Sequence, residues 1–583
     1  MNDPVYQLWE SERQALEDFY ARLQQWKHDG SFLPMVPLSQ AEPWQQGLYQ
    51  AVAFFAARTR LATDNNLNSM WERLLSEHAA PLLRPMSTMG MLQVQPQAGS
   101  LPESVLVPRG TELQVRRPGA RVATFRTEWD LWLSDLTVQK PAGLGQDRRG
   151  QLYLDLGLQL SGQLKKNQPI RLHLRVRDDS LRALQVLDAL RRSIREARLV
   201  STQGAAISSC TVTLGAESPS TSRADTQDHP LLQIRSFFHQ AERELFLNVT
   251  PEHDLSTPGA VLRLVLDGTT LPVDVEGLLN RRAVEFWANV VPISNLHRMQ
   301  VQLPIYDGTR DQLPVLHPLS DREFAPYELL GVYERSGALL TPLPRGVLPP
   351  DSTDPDVPGT AGTRGYDAVY QLDPNGIPRV LLDVQLPDAW QKPVALVADV
   401  LWYQPWLQDE LQPGAAREPS SLTNFGIVAE RPTPFTVEMV TRYVRDAKLT
   451  ILGNLQPNRD NALRTQPGEL WRLAELRSRE QLNLGDLRTL LRALGVFSYS
   501  PYRTLPARLQ GLSGQRVAEV TPGGIQARQR YELQLTQVEE WEAPLLAGFL
   551  GQLQRLLDAY SPDPVTLGVI VGGERWEAPA GWS

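Results

Sequence analysis

The residues with the chemistry for catalysis or metal binding are scattered along this chain. Its eight histidines stand at 28, 78, 173, 229, 239, 253, 297 and 317, and no two are three to five residues apart. That spacing is what brings two imidazoles to one helix face for zinc, so no local pair exists. Cys210 is the only cysteine of 583 residues. No intrachain disulfide or multi-cysteine zinc site can form, and the expected role of Cys210 is that of a small buried residue. The cluster Asp351, Asp354, Asp356 lacks the spacing and closing Glu of a calcium loop and reads as a solvated loop. No Gly-Lys dipeptide offers a phosphate loop, no G-x-G-x-x-G leads from a strand into a helix, and no G-x-S-x-G elbow occurs. The expectation is a chain without catalytic, metal-ligating or cofactor-binding residues. Carboxylate pairs that meet only in the folded chain, as in glycoside hydrolysis, leave no such local signature.

Composition narrows the class further. Hydrophobic residues make up 42% and charged residues 21%, which is the balance of a globular protein rather than a disordered one. The net charge of -8 and a pI near 5.7, with no basic stripe, exclude nucleic acid as an expected partner. Of 58 basic residues only six are lysine, leaving 52 arginines, the cation that suits bidentate pairs and protein interfaces. No run of 18 apolar residues is present, so no direct membrane insertion by a helix is expected. The opening MNDPVYQLWESERQALEDF carries acids and no apolar secretory core, which points to a cytoplasmic protein.

The first 90 residues read as a helical region. Trp9, Leu16 and Leu23 recur every seven residues, with Phe19 and Trp26 interleaved, a narrow seam like that of a coiled coil. Trp44, Leu48, Val52, Phe55 and Thr59 predict a second helix to Ala62, and Asp64 is placed as the N-cap of a third carrying Leu67, Trp71, Leu74 and Leu75. From Met91 the period changes to two. Strands are expected at 131–138, 152–160, 170–176, 211–214, 245–249 and 261–266, with a helix at about 180–198. The composition of 337–378 predicts a long exposed loop, followed by strands at 378–386 and 394–402 and a further loop at 408–421. Helices near 467–481, 484–494 and 543–559 and strands near 515–520, 529–536 and 565–571 complete the reading. The fold class is therefore α+β and multidomain: a helical bundle over 1–90, a β-rich domain over 91–280, a second over 281–421, and a mixed α/β domain over 422–583.

Two stretches carry a family resemblance. Between 48 and 129 stand Ala57, Arg58, Asp64, Leu74, Leu75, Leu83, Pro85 and Ser87, then the turn Pro108-Arg109-Gly110-Thr111 and the strand Phe125-Arg126-Thr127. Over 286–296, FWANVVPISNL holds Asn289, Pro292, Asn295 and Leu296. Shorter echoes follow at Pro326-Tyr327-Glu328, Arg431-Pro432-Thr433-Pro434, 468–473 and 545–561. This pattern resembles the TssF (ImpG/VasA) family, baseplate wedge subunits of the bacterial type VI secretion system. On residue chemistry, Pro108 and Gly110 set a turn, Pro85 and Pro292 break elements, and Asn289 and Asn295 satisfy buried backbone groups.

The resemblance implies a structural, non-enzymatic scaffold without cofactors. It implies TssG and a second copy of the chain as direct partners, with TssK reached through TssG. TssE, the VgrG spike and the sheath belong to the same assembly, at the inner face of the cell envelope. The seam Trp9, Leu16, Phe19, Leu23, Trp26 is the candidate interface. Two other readings fit the strand and tryptophan content: a β-rich carbohydrate-active or other hydrolytic enzyme with a Trp-lined cleft, and a cargo-binding adaptor.

Overall fold

Pro43 opens a 33-residue helix, and the residues around it explain the start. Proline is tolerated at a first helical position, where its missing N–H has no intrahelical partner to lose. The Gln45 side chain accepts the Glu42 backbone N–H at 3.1 Å, which is half of a capping box. The computed structural model describes residues 4–25, 42–75, 84–216, 230–342, 365–407, 426–428, 447–456 and 475–576, less breaks of one to five residues within these spans. Helix α1 spans Pro4–Gln25 and α2 spans Pro43–Leu75. The second and third helices expected from the sequence are one. Asp64 lies inside α2 rather than capping a new helix, because 62–66 contains neither Gly nor Pro to stop the first. The Thr63 hydroxyl donates to the Thr59 carbonyl at 2.9 Å, a bond back to the preceding turn that leaves the helix intact.

The chain divides into two compact units drawn from separated stretches, where four consecutive segments were expected. The first unit comprises Met1–Leu83, Arg298–Trp402 and Ala462–Ala474. Beside α1 and α2 it holds a three-stranded sheet, His297–Gln302, Leu396–Tyr403 and Ala325–Glu334 in that order. A four-stranded sheet runs Leu313–Val315, Pro378–Gln385, Gly365–Leu372, Thr341–Pro342. One apolar core, with Leu313, Val332, Leu382, Val400 and Trp402 at its centre, serves both sheets. The expected loop 337–378 is therefore not a loop throughout. Gly365–Leu372 pairs with Pro378–Gln385 over eight positions, its alternating Tyr366, Ala368, Tyr370 and Leu372 being a strand pattern among turn-forming neighbours. Residues 343–364 and the expected loop 408–421 lie outside the described residues.

The second unit comprises Arg84–His297, Tyr403–Asn461 and Glu475–Ser583. Its largest sheet has nine antiparallel strands, among them Leu152–Leu160, Ile170–Val176 and Gly259–Leu266, with Val284–Ala288 at one edge. The helix expected over 180–198 stops at Ser193 (α3, Ser180–Ser193), and Ile194–Ser201 enters this sheet. A six-stranded sheet runs Gly426–Val428, Glu112–Arg116, Val122–Thr127, Val290–Ser294, Met89–Gln95, Lys448–Gln456. Two short helices that the sequence reading did not anticipate, α4 (Pro230–His239) and α5 (Val273–Asn280), follow. Near the C-terminus, α6 spans Leu484–Ala493 and α7 spans Ala543–Tyr560. Strand Gly524–Leu535 pairs in parallel with Val565–Val571, and α7 is the crossover that a parallel pair requires. Helix α7 packs on α4, where Phe238, Phe549 and Tyr502 form an aromatic cluster with ring centroids 5.7–5.9 Å apart.

Candidate interaction surface and its supporting frame

Helix α2 has its large and small apolar residues on the opposite sides from those of an ordinary core helix. The small residues Ala53 and Ala57, four apart, are fully buried. On another face Trp44, Leu48, Val52 and Phe55 expose 64, 58, 45 and 65% of their surfaces. Their spacing of four, four and three places them in one stripe, which Thr59 extends. Among the described residues, large exposed apolar side chains concentrate on these two helices, since Tyr6, Phe19 and Phe54 join the four. An exposed apolar stripe of this kind is a candidate contact surface.

Helix α1 packs on α2. The Trp9 indole N–H donates to the Gln50 carbonyl at 3.2 Å, and Arg60 reaches Glu12 at 2.8 Å. Of the predicted seam, Trp9 and Leu16 are half-buried and Phe19 is 58% exposed. Leu23 lies in α1, and Trp26 lies outside the described residues. Arg58 is exposed, its guanidinium 6.0 Å from the Phe54 ring centroid.

In the second unit, the residues of the second motif form one construction. Strand Val284–Ala288 belongs to the nine-stranded sheet and Val290–Ser294 to the six-stranded sheet. Asn289, the single residue between them, has φ +55°. The left-handed region is costly for most L-residues, and Asn is one of the few that visit it routinely. Its side chain then acts as a surrogate peptide. Nδ2 donates to the Ser134 carbonyl at 2.7 Å, and Oδ1 accepts the Ser134 N–H at 3.2 Å. Pro292 sits in the middle of the second strand opposite Met91, and its carbonyl accepts the Glu128 N–H at 2.9 Å. Asn295 closes the strand. Its Nδ2 donates to the Thr124 carbonyl at 2.6 Å and to Gln404 Oε1 at 2.8 Å, while its Oδ1 accepts the Gln404 N–H at 2.8 Å. Gln404 in turn accepts the Thr124 N–H at 2.8 Å and donates to the Val122 carbonyl at 2.8 Å. Gln404 and Ser134 were not singled out in the sequence, since nothing local marks a partner 109 or 155 residues away.

The turn of the first motif is built as tightly. Thr111 N–H donates to the Pro108 carbonyl at 3.3 Å, and Gly110, third in the turn, has φ +83°, as a type II turn requires. Gly110 N–H donates to the Thr127 carbonyl at 2.8 Å, the Thr127 hydroxyl to the Pro108 carbonyl at 3.1 Å, and the Arg109 N–H to Asp130 at 2.7 Å. Pro85 is buried. Of the shorter echoes, Pro326-Tyr327-Glu328 is buried in a strand and 545–560 is in α7, whereas 431–434 and 468–473 lie outside the described residues.

Burial and neighbouring charges shift several ionisable groups of the second unit. Burial pushes the Glu128 carboxyl up, but Arg126, Arg243 and the Ser294 hydroxyl outweigh it and hold the group below the usual carboxylate range. Burial lowers His173 to about 3, so the ring is neutral, with Nε2 3.1 Å from the Glu242 carbonyl. Cys210 is half-buried on strand Ala206–Leu214 rather than fully buried, and desolvation raises its thiol to about 11, which keeps it protonated and unreactive. Among the described residues no group of three or more His, Cys, Asp or Glu is placed to hold a metal ion, and no helix is long and apolar enough to cross a membrane.

Comparison with known proteins places this fold. The family described as "Type VI secretion system, TssF" matches residues 26–337, more than half of the chain. The fold is similar to that of a chain in a cryo-electron-microscopy structure of the type VI secretion system TssK-TssF-TssG baseplate subcomplex. The TM-score is 0.64 at 16% identity, over 92% of this chain and 98% of that one. It is also similar to a chain of the baseplate complex from the type VI secretion system, with a TM-score of 0.57 at 13% identity over 98% of both chains. No curated protein matches the chain.

Proposed function

Because the chain belongs to the TssF family of the type VI secretion system, we propose that it is a structural subunit of the baseplate of that contractile machine and works by assembly rather than catalysis. The family match carries this reading, and the likeness of fold over nearly the whole chain to chains of baseplate complexes supports it. The hydrolase and adaptor readings find no comparable support.

The partners follow from the same reading: TssG and a second copy of this chain directly, TssK through TssG, and TssE, the VgrG spike and the sheath in the completed assembly. That assembly sits at the cytoplasmic face of the envelope. Helices α1 and α2 are its docking element. The stripe Trp44, Leu48, Val52, Phe55 and the exposed Phe19 of the α1 seam supply aromatic anchors of the sort that dominate interface energies. Asn289, Pro292, Asn295, Pro85, Pro108 and Gly110 act by holding the second unit's shape. Capture of the tagged full-length chain from its native cell tests the proposal. TssG and TssK should co-purify with it. Recovery of the chain without any baseplate protein, under conditions in which the machine assembles, contradicts it.

A further inference from the structure

The C-terminal sheet has one long edge that is unpaired among the described residues. Its strand order is Leu509–Thr521, Gly524–Leu535, Val565–Val571, Glu574–Trp576. Leu509–Thr521, 13 residues long, pairs on one side with Gly524–Leu535; among the described residues no strand pairs with its other side. Strands in globular proteins run about 5–6 residues, and exposed edges are usually kept short or blunted by Lys, Pro or an inward charge. This edge contains no Lys or Pro, and it carries an irregularity between Leu509 and Gly511, at its base. There Arg488 of α6 donates to the Leu509 carbonyl at 2.9 Å, and positions 512–518 lie beyond that contact. The opposite edge is the three-residue strand Glu574–Trp576.

We propose that this edge pairs with the same edge of a second copy of the chain, joining two four-stranded sheets into one across a two-fold axis. Antiparallel pairing of identical edges about an axis normal to the sheet keeps faces aligned only when opposed residue numbers have an even sum. A register centred on Gln515 meets that condition. It sets Arg516 against Gly514, Val517 against Ser513 and Ala518 against Leu512, so each larger residue faces a smaller one or a methyl. Arg516 is the only charged residue of 509–518, and Asp563 already meets it at 2.9 Å within the chain. No like charges therefore oppose, and the two-fold contact closes on itself, leaving the three-residue strands Glu574–Trp576 as the outer edges of the joined sheet. This inference concerns a different surface from α2 and does not rest on the assignment to the baseplate.

Gln515 lies on the axis and is exposed, which makes it the test. Gln515→Lys sets two lysines opposite each other, Gln515→Glu two glutamates, and a mixture of the two sets lysine against glutamate. Sedimentation of the full-length chain, in a Trp44→Ala, Phe55→Ala background that disables the α2 stripe, should show a concentration-dependent dimer. Each single variant should be monomeric where that parent is dimeric, and the equimolar mixture should recover the dimer mass. Amide exchange over 512–518 should slow with concentration in the parent alone. A parent that stays monomeric overturns the proposal. So does a Gln515→Lys chain that dimerises as well as its parent, or a mixture that fails to recover while both variants keep the parent's melting temperature.

Discussion

Asn295 and Gln404, 109 residues apart, hold each other through two hydrogen bonds: Asn295 Nδ2 donates to Gln404 Oε1, and the Gln404 N–H donates to Asn295 Oδ1, both at 2.8 Å. Both side chains are buried, and each also bonds Thr124, so three stretches of chain share one polar joint. Removing one partner strands the others away from water at about 1–3 kcal/mol for each unsatisfied group. Asn295→Leu and Gln404→Leu should each lower the unfolding free energy by about 2–4 kcal/mol, read by urea denaturation. The double variant should cost clearly less than the sum, because groups in one network are not additive.

Asn289 combines a left-handed backbone with a side chain bonded to Ser134, and substitutions separate the two contributions. Gly accepts the conformation but loses the bonds, Ala loses the bonds and adds roughly 1–2 kcal/mol of backbone cost, and Val adds β-branching on top. Thermal melts should therefore rank wild type, Gly, Ala, Val in falling order. An Ala variant as stable as Gly would remove the conformational part of the account.

The α2 stripe is exposed, so shortening it should cost the free chain little. Trp44→Ala with Phe55→Ala should leave the melting temperature of the isolated chain nearly unchanged yet abolish capture of TssG, at about 2 kcal/mol or more per anchor. The α1 seam behaves differently along its length. Phe19→Ala should be neutral for stability, whereas Trp9→Ala loses packing and the bond to Gln50. Calorimetry of the free chain beside a binding assay separates the two effects.

Acid should weaken the second unit through His173. Its folded pKa of about 3 lies below the ordinary value of 6.5, so the unfolded chain takes up the proton first. Its contribution is therefore intact above pH 6.5 and is lost as pH falls from there toward 3. Glu128 acts in the same direction at lower pH, being held below the usual carboxylate range. Urea midpoints measured from pH 7 to 4 should fall less steeply for His173→Gln than for wild type.

The parts of the fold that declare themselves in sequence are those whose cause is local. Strands 152–160 and 170–176 and helix α7 stand where periodicity places them. The motif around Asn289 and Asn295 is legible through its resemblance to a family pattern. Gln404 is not, because its role is set by where the chain returns and not by its neighbours. The break expected at Asp64 fails because a cap residue starts a helix only where something ends the previous one. The alternation of strand Gly365–Leu372 is obscured by the prolines and glycines around it, which read as a loop. The stripe on α2 is visible as a pattern. That it faces outward is not, since periodicity names a face and never says what lies against it.

A strand that leaves one sheet and joins another at Asn289 has no slack. In most two-sheet constructions a flexible connector absorbs relative displacement. Here tension on Val284–Ala288 reaches Val290–Ser294 through one residue whose side chain is itself anchored at Ser134. With one residue between them, the spacing and direction of the two sheets at this point are set by a single backbone conformation and its two bonds to Ser134.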